Sequence, residues 1–267
     1  MSEKSNGYKW YGIGDINAFF GLMFDNMTVL LFMSNILIFV FQFPAEIIYT
    51  KMIPGTTLGV LIGDLVYTWM AFQLAKKTGN RNVTAMPLGL DTPSTIGIAF
   101  AVLGPVYVQT KDPILTWQVG MATLVLIGIV KVVLSFFGEY VQKIVPQAGL
   151  LGSLAGIGLC LIGFLPLLKI FAKPVCGLIA LGLIFYALVA RIKLPRNAPG
   201  VLISILAGTV IYYVLGKSGW GGLDAFEVPK LVLSPGFPAP TLDFMKGLNM
   251  AWNYLPIAIP FALLTVV

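Results

Sequence analysis

The sequence contains no histidine, only two cysteines and few charged residues. The absence of histidine removes the commonest metal ligand and the commonest proton carrier near neutral pH. Cys160 and Cys176 both lie in apolar segments, where we expect small core residues and not a disulfide. The sequence shows no nucleophile–base pair and no metal-ligand cluster. We therefore expect neither an enzyme nor a protein that holds a cofactor or a metal.

Charged residues make up 10% of the 267 residues and hydrophobic residues 58%, and the mean hydropathy is +0.90. A soluble domain carries about 25% charged residues, so this composition predicts an integral membrane protein. The apolar runs are continuous, which favours helices over a β-barrel. The net charge of +6 comes from basic residues in short loops between the apolar runs, so nucleic acid is not an expected partner.

The apolar runs predict seven full or broken membrane spans and the beginning of an eighth, because a helix needs about 20 residues to cross a bilayer. They lie near residues 17–41, 55–75, 83–108, 114–137, 150–168, 174–192 and 200–216, and the last begins near 248. Residues 134–147 predict a short interfacial helix. The chain stops inside an apolar run, so we expect it to be a piece of a longer protein.

The basic residues of the loops predict an orientation. One side receives all three arginines of the chain together with two adjacent lysines: Lys76, Lys77, Arg81, Arg191 and Arg196. The positive-inside rule places this side, and the N-terminus with it, in the cytoplasm. We expect a multi-pass protein of the cell membrane (a bacterial inner or plasma membrane). Tryptophans near the span ends, Trp117 among them, predict interface anchors.

Residues 83–100, VTAMPLGLDTPSTIGIAF, differ from the neighbouring spans because they contain two prolines, two glycines and an aspartate. Pro93 suits the first turn of a helix, where its missing N–H costs nothing. That position places Asp91 or Thr92 at the N-cap, where a side-chain oxygen can accept hydrogen bonds from free N–H groups. The alternative interpretation is a proline-kinked span with a buried cap.

The helix after Pro93 is predicted to be short. Gly104 and Pro105 would end it near Leu103, and its length of about 16 Å is half the hydrocarbon thickness. The sequence therefore predicts a half-helix that begins near the membrane midplane, preceded by the extended residues 84–90. Extended backbone at that depth needs protein or a wet cavity around it. A helix N-terminus in such a cavity can bind an acceptor-rich or anionic solute.

Acidic residues inside the predicted spans are functional candidates, because a charge in a bilayer costs several kcal/mol. Asp25 and Asn26 interrupt the first span, and Asp64 lies in the middle of the second. Structural alternatives remain open. Asp25 could bond to the backbone of the broken third segment, and Asp64, which follows a stripe of glycines, could satisfy a neighbouring helix. Lys131, deep in a later span, could extend to the cytoplasmic surface.

Three stretches resemble the xanthine/uracil/vitamin C permeases, the nucleobase–ascorbate transporter class that includes uracil and adenine/guanine permeases. NAFFGLMFDNMTVLL, residues 17–31, is similar to the first span of that family, although it lacks the Gln-His pair of one branch. TAMPLGLDTPSTIGIAF, residues 84–100, looks like the family's strand and half-helix, in the style of the adenine/guanine branch. FGEYVQKIVPQAGLLGSLAGIGL, residues 137–159, is similar to its interfacial helix and fifth span.

The resemblance implies an all-α integral membrane fold with fourteen segments in two inverted repeats of seven, and a short extended stretch and half-helix in segment 3. Residues 1–216 would form the first repeat, residues 217–247 an extracytoplasmic or interfacial loop, and residues 248–267 the start of segment 8. The family's acidic substrate and proton-coupling positions in segments 8 and 10 would lie beyond this chain. The resemblance also suggests a homodimer.

We therefore expect a secondary transporter that moves a nucleobase or a similar flat heterocycle by alternating access, coupled to a cation, with H⁺ the expected one. The candidate substrate-binding residues are Phe24, Asp25, Asn26, Leu90, Asp91, Thr92 and Ser94. The proton-coupling candidates are Asp25, Asp64 and Asp91, since a buried carboxyl can take up a proton near neutral pH. The alternatives are an anion transporter of the same architecture (sulfate, bicarbonate or borate class) and a membrane scaffold that transports nothing.

Overall fold

The structure is a computed structural model that describes residues 11–80, 82–138, 163–195, 198–219 and 240–266, and isolated positions elsewhere. The described part is helical and contains no β-strand, which confirms the all-α prediction for these residues. Four helices are long and apolar enough to cross a membrane: Gly14–Val40, Ala45–Thr78, Pro113–Ser135 and Gly200–Ser218. They coincide with four of the predicted spans. Pro174–Val189, a shorter apolar helix, occupies a fifth.

The helices of the described residues are numbered here in chain order. They are α1 (Ile13–Asn35), α2 (Ala45–Ile47), α3 (Ile53–Thr78), α4 (Thr92–Ile98), α5 (Gly104–Thr110), α6 (Pro113–Ser135), α7 (Leu165–Ala172), α8 (Pro174–Ile184), α9 (Gly200–Ser218) and α10 (Phe244–Val266). Wider π-helical turns extend or join some of them: Ile36–Val40, Ile48–Met52, Ala99–Leu103 and Phe185–Val189. The last predicted span thus begins at Phe244, a few residues before the predicted position. Most of the predicted span 150–168, the predicted interfacial helix 134–147 and the predicted loop 217–247 lie outside the described residues, as does Cys160.

The chain divides into two compact units. Residues 1–24 and 155–233 form unit 1, and residues 25–154 and 234–267 form unit 2. In unit 1, α8 packs against α9, and Cys176 on α8 is a buried free thiol, as predicted. The contact is close because α9 carries Gly208, where a Cβ would lie 3.0 Å from Ala180 Cβ.

The core of unit 2 is built from apolar side chains on α1, α4, α5, α6 and α10, on the π-helical turns, and from Phe43, which lies between two of these elements. Its most completely buried large members are Phe43, Leu37, Ile48, Val102, Val106 and Val119. Along this core α10 packs directly on α6. At Gly247 a Cβ would lie 2.5 Å from the backbone of Gln118, so only glycine permits this approach of the two helices.

The helix that starts at Thr92 does not end near Leu103, so the predicted half-helix is wrong in length. α4, the π-helical turn Ala99–Leu103 and α5 follow one another without a break to Thr110, a run of about 28 Å. Proline disrupts a regular helix because it lacks an N–H and its ring meets the carbonyl four residues earlier. Here the wider turn comes immediately before Gly104 and Pro105, so Pro105 stands in a new first turn of α5.

The helix Ala45–Thr78 is longer than a bilayer is thick. Its 34 residues extend about 51 Å, against about 30 Å of hydrocarbon. Lys51 lies near one end, Lys76 near the other, and Asp64 lies about halfway between them. Because lysines in such helices extend toward the two membrane surfaces, this spacing puts Asp64 near the middle of the span.

Candidate functional site

Residues 83–91 lie outside any helix, as the sequence predicts, and we call them the non-helical segment. Pro87 pushes the residue before it toward an extended conformation, and Gly89 disfavours helix. At the end of the segment Asp91 has φ −68° and ψ 96°, which is extended geometry, and α4 begins at the next residue. The backbone N–H groups of this segment therefore need partners outside a helix.

Two polar side chains from neighbouring helices supply those partners. Leu88 N donates to Asp64 Oδ1 on α3 at 2.8 Å, and Leu90 N donates to Asn26 Oδ1 on α1 at 2.7 Å. Leu88 also packs where Gly63 leaves room, because a Cβ on that glycine would overlap the Leu88 side chain. Asp64 and Asn26 thus hold the non-helical segment between α1 and α3.

The structural alternative for Asp25 was a hydrogen bond to the backbone of the broken third segment. Its neighbour Asn26 makes this contact instead. Asn26 accepts the Leu90 N–H, whereas Asp25 is exposed on α1. The side chains of adjacent helical residues point about 100° apart, so only one of the pair can face the segment. Asp64 does have a structural contact, but with the non-helical segment and not with a neighbouring helix, which was the predicted alternative.

Asp91 occupies the N-cap position of α4, yet its carboxylate does not cap the helix within the described residues. Its Oδ2 accepts a hydrogen bond from Ser94 Oγ and one from Lys131 Nζ on α6, at 3.2 Å in the second case. The backbone oxygen of Asp91 accepts from Thr95 N at 2.8 Å and so begins α4. The carboxylate is therefore committed to side chains and leaves the backbone of the first turn alone.

Lys131 has a partner of opposite charge within unit 2, whereas the alternative interpretation of its place in the sequence is an extension to the cytoplasmic surface. Its ammonium forms an ion pair with Asp91, and the exposed fractions of the two side chains are 30% and 26%. The pairing joins residues forty positions apart, so no local pattern predicts it. The one signal in the sequence is that an acid and a base both lie inside apolar spans, where each needs a partner of opposite charge.

This ion pair lies in the wall of a cavity of about 770 Å³ within unit 2. Leu90, Asp91, Ser94 and Lys131 line the cavity together with Thr95. Most of the other lining residues are apolar or glycine: Met33, Leu58, Ile62, Leu103, Met121, Leu124, Val125 and Ile127, with Gly55, Gly59, Gly120 and Gly128. A mainly apolar cavity with a few convergent polar groups is the usual form of a small-molecule site.

Trp117 also lines the cavity, although its position at a span end predicts an interface anchor. The Lys51 ammonium lies 4.8 Å from the centre of the Trp117 ring, a cation–π contact.

A second ion pair lies on the surface near this end of the cavity, where Asp243 is paired with Lys246 at 3.1 Å. The hydrogen bond from Lys246 lowers the pKa of Asp243 below its ordinary value of 3.8.

The predicted site residues thus fall into three groups. Leu90, Asp91 and Ser94 come together on the cavity wall, and Asn26 and Asp64 support the segment that carries them. Thr92 is the first residue of α4 and does not line the cavity, and neither does Asp25. Phe24 belongs to unit 1, where its ring stacks on that of Phe20 with 6.4 Å between centroids. The sequence analysis missed Thr95 and did not assign Lys131 to the site.

Comparison with known protein families, with curated proteins and with solved structures finds no match to this chain. The class that the fold defines is therefore a helical membrane protein with an ion pair in the wall of an open cavity in unit 2.

Proposed function

We propose that the protein is a secondary transporter of nucleobases or similar flat heterocycles that works by alternating access. The observation that carries the proposal is the cavity beside the start of α4, where Asp91, Ser94 and Lys131 form a polar cluster on a mainly apolar wall. Opposite charges paired inside apolar spans mark substrate and ion pathways. The apolar remainder of the wall suits the faces of a ring, and the polar cluster suits its edge.

The resemblance of residues 17–31 and 84–100 to the nucleobase–ascorbate permeases supports the same substrate class. On that basis the protein would have fourteen segments in two inverted repeats of seven, of which residues 1–216 form the first. We place it in the cell membrane with a cytoplasmic N-terminus, as a possible homodimer. A second half would complete the walls of the cavity.

Proton coupling is assigned to Asp91. Among the three acidic candidates, Asp91 alone lines the cavity, whereas Asp64 binds the Leu88 N–H and Asp25 is exposed on α1. A proton that reaches the cavity can neutralise Asp91 and so change its attraction for Lys131. This change in charge at the substrate site is what coupled transport requires.

The test is uptake of labelled uracil, xanthine, adenine and guanine by vesicles that contain the full-length protein, with and without an imposed pH gradient. We expect saturable uptake of at least one base, accelerated by an inward proton gradient. Asp91→Asn should abolish that acceleration, and Lys246→Gln, which alters an ion pair outside the cavity, should keep it. If none of the four bases were taken up, either with or without the pH gradient, the proposal would be refuted.

A second candidate, an anion transporter of the same architecture, is favoured by the cations of the cavity, Lys131 and Lys51. Asp91 counts against it, because its carboxylate repels an anion and neutralises Lys131. Competition separates the two: purines or uracil should displace the labelled base, whereas sulfate and bicarbonate should not. A protein that shows no stabilisation against heat by any of these solutes would be the non-transporting scaffold.

A further inference from the structure

We infer that the Asp91–Lys131 pair selects the substrate by binding one edge of a neutral ring, an edge on which an N–H donor stands beside a carbonyl acceptor. This arrangement is the lactam edge of bases such as uracil and xanthine. The inference rests on the proposed function and adds to it the chemical group that is recognised and the role of Lys131 as a specificity-determining residue.

The first step is the number of hydrogen-bonding positions that the pair leaves open. Both internal contacts of the Asp91 carboxylate use Oδ2, one with Ser94 and one with Lys131. Among the residues that the structure describes, Oδ1 has no partner. A lysine ammonium has three N–H donors, of which Asp91 takes one. The pair therefore offers an acceptor and donors side by side.

The second step is that both members of the pair line the cavity and are held in place. Asp91 and Lys131 both line the cavity and each retains about a quarter to a third of its side-chain exposure. Ser94, which is buried with 4% exposure, fixes the carboxylate through its hydroxyl group. The backbone on either side is fixed as well, by the Leu90–Asn26 and Thr95–Asp91 hydrogen bonds. Binding therefore needs little reorganisation.

The third step is charge. The pair is neutral as a whole, so it attracts neither a free anion nor a free cation strongly. A neutral ligand with a donor next to an acceptor can satisfy both members at once, the N–H on Asp91 Oδ1 and the carbonyl on Lys131 Nζ. Each of these hydrogen bonds has one charged partner, and such bonds are stronger than those between neutral groups. A ligand that lacks the donor leaves the carboxylate oxygen desolvated and unpaired.

The experiment measures equilibrium binding of labelled uracil to the full-length wild-type protein, with unlabelled uracil, 1,3-dimethyluracil and sulfate as competitors. Dimethyluracil keeps the ring and both carbonyls but has lost both N–H donors. We expect it to compete at least about tenfold less well than uracil, and sulfate not to compete. This arm needs no variant, so its result does not depend on how substitutions affect folding.

The second arm uses Asp91→Asn and Lys131→Gln, each of which should weaken uracil binding by about ten- to a hundredfold. Lys246→Gln is the matched control, because it removes an ion pair of nearly equal length in the same unit but outside the cavity, and it should bind as the wild type does. Equal competition by uracil and dimethyluracil, or unchanged binding by both cavity variants, overturns the inference while leaving nucleobase transport intact. A wild-type protein that binds no base overturns both proposals together.

Discussion

The middle and the end of the non-helical segment use polar side chains in opposite ways. In the middle, residues 88–90 are held by oxygens of Asp64 and Asn26 that accept backbone N–H groups. At the end, the Asp91 carboxylate binds other side chains, lines a cavity and has one oxygen without a partner among the described residues. The first arrangement satisfies the backbone, and the second leaves a hydrogen-bond acceptor available beside a paired charge.

This difference separates an acid that serves the backbone from an acid that lies in a cavity wall. Asp64 lies near the middle of its span, yet it accepts the Leu88 N–H, which gives it a structural role. Asp91 is paired with Lys131, whose ammonium can also donate a hydrogen bond to a ligand. The identity of the hydrogen-bond partner, backbone or side chain, separates the two roles, and substitutions can test this separation.

The largest effect is expected from Asp91→Lys, which would replace the ion pair with two neighbouring ammonium groups inside an apolar helical unit. Neighbouring like charges, in a setting where even one charge is costly, should remove several kcal/mol of stability and most of the folded protein. Size-exclusion chromatography of a fluorescent fusion reports the folded yield.

The exchange variant Asp91→Lys with Lys131→Asp restores opposite charges and should recover much of the folded yield, although not the proposed specificity. Recovery by the double variant is the sign of direct coupling between the two sites. If Asp91→Lys alone gave the wild-type yield, the ion pair would have no part in holding α4 against α6.

A smaller loss is expected from Asp64→Ala, which leaves the Leu88 N–H without its acceptor. The cost of such an unsatisfied group is about 1–3 kcal/mol. Asp64→Asn is the matched variant, because its amide oxygen can still accept that N–H, and it should retain most of the stability and proton-coupled uptake. The thermal unfolding midpoint of the purified protein and vesicle uptake give the two readouts. Loss of pH-dependent uptake in Asp64→Asn with normal stability would move the coupling role from Asp91 to Asp64.

The smallest effect is expected at Asp243 and Lys246, an exposed pair that contrasts with the pair in the cavity. The pKa of Asp243 is lowered by its bond to Lys246, so the stabilisation is present above the ordinary value of 3.8 and is lost as the pH falls through the lowered folded pKa. Because the pair is exposed, this stabilisation is small, so Lys246→Gln should lower the melting point only slightly at neutral pH and should remove the small loss of stability in acid. A clear loss of stability at neutral pH would contradict the view that exposed ion pairs contribute little.

The sequence was sufficient to predict where the chain leaves helical geometry and, to within one residue, where α4 begins. Proline and glycine act locally, so Pro87, Gly89 and Pro93 determine the backbone near them whatever the rest of the fold does. The same local rule failed at Gly104 and Pro105, because the π-helical turn before them gives the chain room to continue as a helix. The residues of this π-helical turn, AFAVL, have no composition that distinguishes them from an ordinary helical turn, so the sequence does not predict it.

The contacts between distant elements were beyond prediction for a different reason. That Asn26 and not Asp25 faces the segment depends on the rotation of α1, which apolar residues on all sides of a membrane helix leave undetermined. The pairing of Lys131 with Asp91 depends on how α4 and α6 pack. The sequence indicates that both charges need partners, and only the packing shows that they serve each other.

The place of Asp64 along its helix has an electrical consequence. Leu88 is bonded to Asp64 near mid-span, and Asp91 follows only three residues later, within about 10 Å along the chain. A charge that travels to this region from either face crosses roughly half of the transmembrane voltage. Since one charge that crosses the full voltage gains or loses about 2.3 kcal/mol per 100 mV, a charge that stops beside Asp91 gains or loses about half of that amount. Binding of a charged solute there would then depend on the membrane potential as well as on the concentration of the solute.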